Sequence, residues 1–270
     1  MYGICNLSIV PCRKEPSDKS EMVTQLLFGE HFEVLEEKKS WALIRIAYDS
    51  YECWIDKKQF LPISDIKGIN DSTTAVTTDL VQLAEDENKN IIPIVLGSSL
   101  PKFKDKSFSL GKQKYSFDGE ITFPFAKTSP LKKGDERGLS EIAKWYLNTP
   151  YLWGGRSPFG LDCSGFTQMV FKLNGIKLKR DAWQQAEEGK TLSFLEESQT
   201  GDLAFFDNED GKIVHAGIIL SPAGGGGEAG GGKIIHASGK VRIDKLDHQG
   251  IYNEEMKKYT HRLRVVKRFL

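Results

Sequence analysis

The feature that most constrains this chain is a change of hydrophobic period near residue 130. Residues 1 to about 65 run as short β-like stretches between turn residues: Cys5 to Val10, Met22 to Leu27, His31 to Glu36, Trp41 to Ile46 and Tyr51 to Ile55. No ten-residue window there carries a helical stripe over its full length. Alternation sets Trp41, Leu43 and Arg45 on one face of their stretch and Ala42, Ile44 and Ile46 on the other, and one face is core. A second β-rich segment spans about 66 to 128, clearest at Ile91 to Gly97 and Lys114 to Glu120. Lys127 to Gly138 then gathers Pro130, Lys132, Lys133, Gly134 and Asp135, the composition of a linker. Beyond it, Leu139, Ile142, Ala143, Tyr146 and Leu147 fall on one helical face until Pro150 limits the helix. A second stripe, Phe166, Met169, Val170 and Leu173, follows Cys163 and stops at Asn174-Gly175. Strand-like runs come last, at Asp202 to Phe206, Ile213 to Leu220, Lys233 to Ala237 and His261 to Phe269. The expected layout is two small all-β parts, 1–65 and 66–128, followed by an α+β domain at 129–270 with helices first and an antiparallel sheet after.

Composition removes several classes of function. With 39% hydrophobic residues in 270, the chain can build cores and is not wholly disordered. Thirty-seven basic residues balance 37 acidic ones, so no net field draws nucleic acid or anionic lipid, and neither is an expected partner. The longest apolar runs, such as Ile91 to Leu96, fall far short of the roughly 20 residues of a membrane-spanning helix. Four cysteines, at 5, 12, 53 and 163, are too few for a disulfide scaffold and lack the paired spacing of a zinc site, which favours a reducing compartment. Met1 to Val10 has no basic region and no apolar run of leader length, so a chain complete at Met1 is expected in the cytoplasm. Removal of a leader before Met1 would make it periplasmic or secreted instead. The glycine run within Pro222 to Gly232 reads as a mobile hairpin loop, with a substrate gate as the alternative.

Cys163 precedes a helical stripe, where unpaired backbone N–H groups and the helix dipole favour a thiolate. His215 and His236 sit in consecutive apolar strand-like runs, and an imidazole beside a thiol, oriented by a second polar group, is the working part of a cysteine peptidase. Taken singly, each of these residues also reads as ordinary packing. Cys5, Cys12 and Cys53 read as packing residues, and Trp153-Gly154-Gly155 as a turn into the nucleophile helix. Arg180-Asp181 reads either as a surface ion pair or as a specificity element.

Six ordered segments resolve the ambiguity: Thr149-Pro150-Tyr151-Leu152-Trp153-Gly154-Gly155, Leu161-Asp162-Cys163-Ser164-Gly165-Phe166, Arg180-Asp181-Ala182-Trp183-Gln184-Gln185, Gly201-Asp202-Leu203-Ala204-Phe205-Phe206, His215-Ala216-Gly217-Ile218 and Ile235-His236-Ala237-Ser238. Together they closely resemble the NlpC/P60 family of cell-wall cysteine peptidases over about 130 to 270. The resemblance implies a papain-like α+β domain with Cys163 as nucleophile, His215 as general base and His236 as the orienting third member. It implies that Tyr151 lines the site and donates to the oxyanion with the Cys163 N–H, and that Asp162, Ser164 and Asp181 meet the substrate. The glycine run between the two histidines departs from the shorter connections of the family.

Residues 1 to 65 resemble bacterial SH3-like (SH3b) barrels, with Val10 to Ser17 as the early loop and Tyr51-Glu52-Cys53-Trp54-Ile55 where Gly-Trp-Ile is usual, Cys53 replacing the glycine. The segment 66–128 resembles them loosely. Two such barrels before this peptidase domain resemble the γ-D-glutamyl-L-diamino acid endopeptidases, which act on murein stem peptides. That resemblance implies cleavage of the γ-D-Glu to diamino acid bond (meso-diaminopimelate or L-Lys) in peptides with a free N-terminal L-Ala, with Glu15 and Tyr51 holding the amine and Glu52 in reserve. It implies a monomer with no metal and no organic cofactor. Two other readings are an exported wall hydrolase anchored by its SH3b domains and a non-catalytic binder of wall peptides.

Overall fold

A computed structural model describes residues 1–64, 66, 69, 73–126, 136–222 and 232–269. Most of the expected linker and the glycine run at 223–231 lie outside the described residues. The chain divides into two compact units. Unit 1 is Met1–Leu131 with Trp153–Gly160 and Gly175–Lys177, and unit 2 is the remainder.

Unit 1 begins with β1 (Tyr2–Ile4), β2 (Ile9–Arg13), β3 (Met22–Leu27), β4 (His31–Lys38), β5 (Trp41–Ile46), β6 (Glu52–Asp56) and β7 (Leu61–Ile63). They form one sheet in the order β3-β2-β6-β5-β4-β1-β7. Ala42, Ile44 and Ile46 are the buried face of β5, packed with Val10, Leu26, Phe32 and Ile55. Cys5, Cys12 and Cys53 are buried free thiols of the same region. The next strands are β8 (Ala75–Thr77), β9 (Val81–Asp86), β10 (Ile91–Val95), β11 (Ser99–Leu100), β12 (Ser107–Leu110), β13 (Gln113–Phe117) and β14 (Ile121–Thr122). They make a four-stranded sheet, β10-β9-β13-β12, and a three-stranded one, β11-β8-β14. Their core stacks Phe108 on Tyr115 at 5.0 Å, with Phe28 edge-on to both. Phe28 and Ile4 come from the first segment yet are buried in this second core, so the two β segments share residues and cluster as one unit.

The segment 153–160 is held in unit 1 by backbone fit and charge. Gly154 has φ +75, and a Cβ there would lie 2.4 Å from the Met22 carbonyl oxygen, so only glycine makes the turn. Trp153 does not pack into a core: it is mostly exposed and donates its indole N–H to Glu21 at 2.8 Å. In β15 (Arg156–Ser157), Arg156 is fully buried and grips Glu30 with both terminal nitrogens, at 2.8 and 3.0 Å, and the Gln25 carbonyl at 2.7 Å. Such a pair is costly to break, because removing one partner leaves the other charge buried.

Unit 2 contains α1 (Glu136–Trp145), α2 (Cys163–Leu173), which follows the short β16 (Gly160–Leu161), and α3 (Ala182–Ala186). Leu139, Ile142, Ala143 and Tyr146 are buried as the period requires, and α2 is buried along its whole length, ending where Gly175 turns with φ +74. The strands are β17 (Lys190–Thr191), β18 (Leu203–Asp207), β19 (Ile213–Ser221), β20 (Gly232–Ser238), β21 (Lys240–Asp247), β22 (Gly250–Asn253) and β23 (Lys258–Arg268). Their order is β17-β23-β18-β19-β20-β21-β22, and β22 also pairs with β23. The six strands β18 to β23 therefore close on themselves, which removes their free edges. Phe206, Ile219, Ile234, Leu246 and Ile251 form a core cluster of this ring.

Candidate active site

Asp162 is the N-cap of α2, and its carboxylate accepts from the Gly165 N–H at 2.7 Å, so the helix starts with Cys163 at its first turn. The same carboxylate is gripped by Arg180 at 2.7 and 3.0 Å, and Arg180 also donates to the Ser164 hydroxyl at 3.0 Å. Arg180 is 1% exposed, so of the two readings of Arg180-Asp181 the surface one does not hold for Arg180. Gln185 of α3 adds a second clamp, donating its amide to the Ser164 carbonyl at 3.0 Å. Asp181 is the N-cap of α3, with its own N–H on the Gln184 side chain at 3.0 Å. The Arg180 to Gln185 segment thus fixes the turn that carries the thiol. Asp162 and Ser164, expected to meet substrate, spend these polar atoms inside the unit.

The Cys163 thiol lies against an open stretch of β19. Pairing of β19 with β20 begins at Gly217, and just before it the Cys163 Sγ–H donates to the Val214 carbonyl at 3.9 Å while the Ala216 N–H approaches the sulfur. Val214 and Ala216 flank His215. Burial, and after it the Asp162 charge, push the thiol up to about 12, against the lowering by the Ala216 N–H, Arg180 and the Ser164 N–H. The helix-terminus effect expected from sequence is present but outweighed, and burial favours the neutral thiol over the thiolate.

His215 and His236 are buried at 5% and 1% exposure, so their polar atoms need partners inside the fold. His215 Nε2 and His236 Nδ1 are 2.8 Å apart, and His236 Nε2 is 3.0 Å from Asp244 Oδ2. Gly217 lies opposite His236 in the ladder, and a Cβ on it would come within 2.9 Å of the His236 Cβ, so the glycine makes room for the ring. Asp244 also takes two contacts from Arg242, at 2.8 and 3.1 Å. Burial would raise the Asp244 carboxyl, but the His236 and Arg242 hydrogen bonds outweigh it and hold the group below its ordinary value.

An ionised Asp244 only accepts, and that fixes every proton in the run. His236 carries its proton on Nε2 and presents a lone pair at Nδ1. His215 therefore donates from Nε2, leaving a lone pair on its Nδ1. Burial holds His215 well below the ordinary imidazole value, and the neighbouring His236 and His261 charges lower it further. Burial lowers His236 as well, against Asp244. Both rings are neutral at pH 7, the form that can accept a thiol proton.

A third imidazole completes the cluster. His261 of β23 stacks on His215 with ring centroids 4.0 Å apart, and its Nδ1 is 2.9 Å from the Thr260 hydroxyl. Burial holds it at about 4. Sequence reasoning passed over both Asp244 and His261. A signal for Asp244 existed: a tight turn at Gly239 puts residue 242 opposite 236, and residue 244 then shares that face two positions on.

The Tyr151 main chain is pinned by its N–H on the Gly239 carbonyl at 3.0 Å. Its phenol is raised by burial and then by the Cys163 and Asp162 charges, which places it in the field of the thiol. Cys163, His215, His236 and Tyr151 all belong to unit 2, whereas Glu15 and Tyr51 belong to unit 1. Glu15 is exposed in the loop after β2, Tyr51 packs half-buried on the first core, and Glu52 is engaged by Arg45 at 2.7 and 3.0 Å.

The profile of the NlpC/P60 family matches residues 148–264, and that of the bacterial dipeptidyl-peptidase Sh3 domain matches residues 12–60. The chain is 31% identical to the gamma-D-glutamyl-L-lysine dipeptidyl-peptidase of Bacillus subtilis, covering 86% of this chain and 78% of that one. It is 26% identical to dipeptidyl-peptidase 6 of Lysinibacillus sphaericus, over 90% and 91% of the two chains. A crystal structure of an NlpC/P60 family protein from Bacillus cereus aligns over 100% of both chains, with a TM-score of 0.79 at 19% identity, and so shares the fold.

Proposed function

Because this chain belongs to the NlpC/P60 family of cysteine peptidases, we propose that it hydrolyses the γ-D-Glu to diamino acid bond of murein peptides that begin with a free L-Ala. The observation that carries this reading is the hydrogen-bonded run from Asp244 through His236 to His215, ending at the strand residue flanked by both backbone partners of the Cys163 thiol. The name of the Bacillus subtilis relative supports the γ-D-glutamyl bond, and that of the Lysinibacillus relative a dipeptidyl-peptidase activity.

In the proposed reaction His215 Nδ1 takes the Cys163 proton as the sulfur attacks the γ-carbonyl carbon. The oxyanion receives hydrogen bonds from the Cys163 N–H and the Tyr151 hydroxyl. His215 returns the proton to the departing amine of the diamino acid, leaving an L-Ala-γ-D-Glu thioester on Cys163. Water, deprotonated by His215, then releases the dipeptide acid and restores the thiol. No step needs a metal or an organic cofactor.

Glu15 and Tyr51 are proposed to hold the substrate ammonium. A carboxylate buried by a bound peptide is compensated only by a free amine, so peptides extended at that end are rejected. Under this reading the enzyme works in the cytoplasm on freed peptides, which cell fractionation tests. The kinetic test uses L-Ala-γ-D-Glu-diaminopimelate with and without an N-acetyl cap. Cleavage of the free peptide alone is expected; equal rates on both would remove the amine clamp, and cleavage of neither would remove the substrate assignment.

A further inference from the structure

Three imidazoles meet at one end of the ring of strands in unit 2. One ring nitrogen from each of His215, His236 and His261 lies within 4.8 Å of the other two. The pair already in contact, His215 Nε2 and His236 Nδ1, is 2.8 Å apart. Nitrogens held at about 2.0–2.1 Å around a tetrahedral Zn²⁺ sit somewhat over 3 Å from one another, so these rings need to move by about an ångström or less to enclose an ion.

The surroundings are those of a metal site rather than of three rings packed by chance. His236 Nε2 is on the Asp244 carboxylate at 3.0 Å, the outer contact that orients a metal-bound imidazole and aims its other nitrogen inward. His261 Nδ1 is tied to the Thr260 hydroxyl at 2.9 Å, which fixes that ring as well. A cavity of about 550 Å³ lined by Val214, Thr260 and His261 opens on the His261 member of the cluster. Imidazole suits zinc, copper and nickel rather than magnesium or calcium.

We propose that His215, His236 and His261 form a reversible binding site for a divalent transition ion, with Zn²⁺ the representative, and that occupancy switches the peptidase off. The inhibition follows from the tautomers and rests on the catalytic role proposed for His215. An ion takes the lone pairs of His215 Nε2 and His236 Nδ1 and replaces the hydrogen bond between them. With a metal on Nε2, the neutral ring of His215 must carry its proton on Nδ1. That nitrogen then has no lone pair for the Cys163 proton, and the thiol stays inert. No covalent bond changes, and removal of the ion restores the original tautomer.

The test titrates Zn²⁺ into the full-length Cys163→Ser protein, which removes the thiol as a competing ligand, and reads occupancy by competition with a chromophoric chelator. One equivalent is expected, weakened at least about tenfold by adding His261→Gln, since loss of even an outer partner of a metal ligand costs that much. Co²⁺ added to Cys163→Ser provides a second reading that needs no histidine variant: the visible bands of a tetrahedral nitrogen site are expected. No binding to Cys163→Ser, equal affinity with and without His261 in folded protein, or octahedral Co²⁺ bands would each overturn the site. In wild type, Zn²⁺ at the concentration that fills the site should abolish turnover, and a chelator should restore it; full activity at saturation overturns the switch. Occupancy is read without turnover, so an inactive peptidase that binds zinc and an active one that does not separate the two proposals.

Discussion

Asp244→Asn tests the proton ordering of the site with an almost isosteric change. The carboxylate accepts from His236 Nε2 at 3.0 Å and from Arg242 at 2.8 and 3.1 Å. An amide replaces one acceptor oxygen by an NH₂ donor, and Arg242, which only donates, claims the oxygen that remains. The NH₂ then faces His236 Nε2 and pulls its proton to Nδ1, which reverses His215 in turn and leaves a proton on the nitrogen that should accept from Cys163. Hydrogen bonds to charged groups are worth about 1.5–3 kcal/mol. At about 1.36 kcal/mol per decade, the expected loss in kcat/KM is roughly 10- to 150-fold. It should fall mainly on kcat, because Asp244 acts on His215 through His236 rather than by holding substrate. Arg242→Met keeps the carboxylate on His236 and should cost no more than about fivefold, the value of a partly exposed ion pair. The assay is steady-state hydrolysis of L-Ala-γ-D-Glu-diaminopimelate with folding checked by circular dichroism. A folded Asp244→Asn enzyme within twofold of wild type would refute the ordering.

Three further predictions concern charge and burial. Arg156→Met leaves Glu30 buried without the Arg156 charge and should destabilise the protein by about 3–5 kcal/mol in denaturant unfolding, with most of it recovered by adding Glu30→Leu; a single-variant loss below about 1 kcal/mol would contradict the pairing. Alkylation of Cys163 by iodoacetamide should rise about tenfold per pH unit from pH 6 to 9, since burial holds the sulfur as a thiol, whereas a plateau at low pH would mean a resting thiolate–imidazolium pair. The three imidazoles are held below their unfolded value of about 6.5, His261 at about 4, so the unfolded chain binds protons more readily in that window. Their contribution to stability is complete above pH 6.5 and falls as the pH drops toward 4, most cleanly above about pH 5, before carboxylates begin to titrate; His261→Gln should flatten that slope in pH-dependent melting, and an unchanged slope would count against a neutral buried His261.

What the sequence disclosed depended on how local the cause was. The stripe of α1 is visible because one face of it is buried, and the apolar residues of α2, β19 and β20 are visible because nearly the whole of each element is buried in the same unit. Strand β21 was missed because its pattern misleads: Ile243 is 39% exposed while Asp244 is 7% exposed, the reverse of what hydrophobicity suggests. A buried carboxylate is there to serve His236, and local rules fail where chemistry overrides packing. The Arg156–Glu30 pair joins positions 126 residues apart and leaves no periodic trace. Cys163 and both histidines were singled out by motif resemblance; position alone would have left each as a packing residue. The same motifs suggested a substrate contact for Asp162, where the structure shows a helix cap clamped by Arg180.

The most direct measurement is the intact mass of the protein, quenched in acid during turnover of L-Ala-γ-D-Glu-diaminopimelate and then mapped by peptide digestion. An L-Ala-γ-D-Glu acyl group on the peptide that carries Cys163, absent from Cys163→Ser, is the expected result. Undiminished turnover by Cys163→Ser, or an acyl group carried by any other residue, would contradict it.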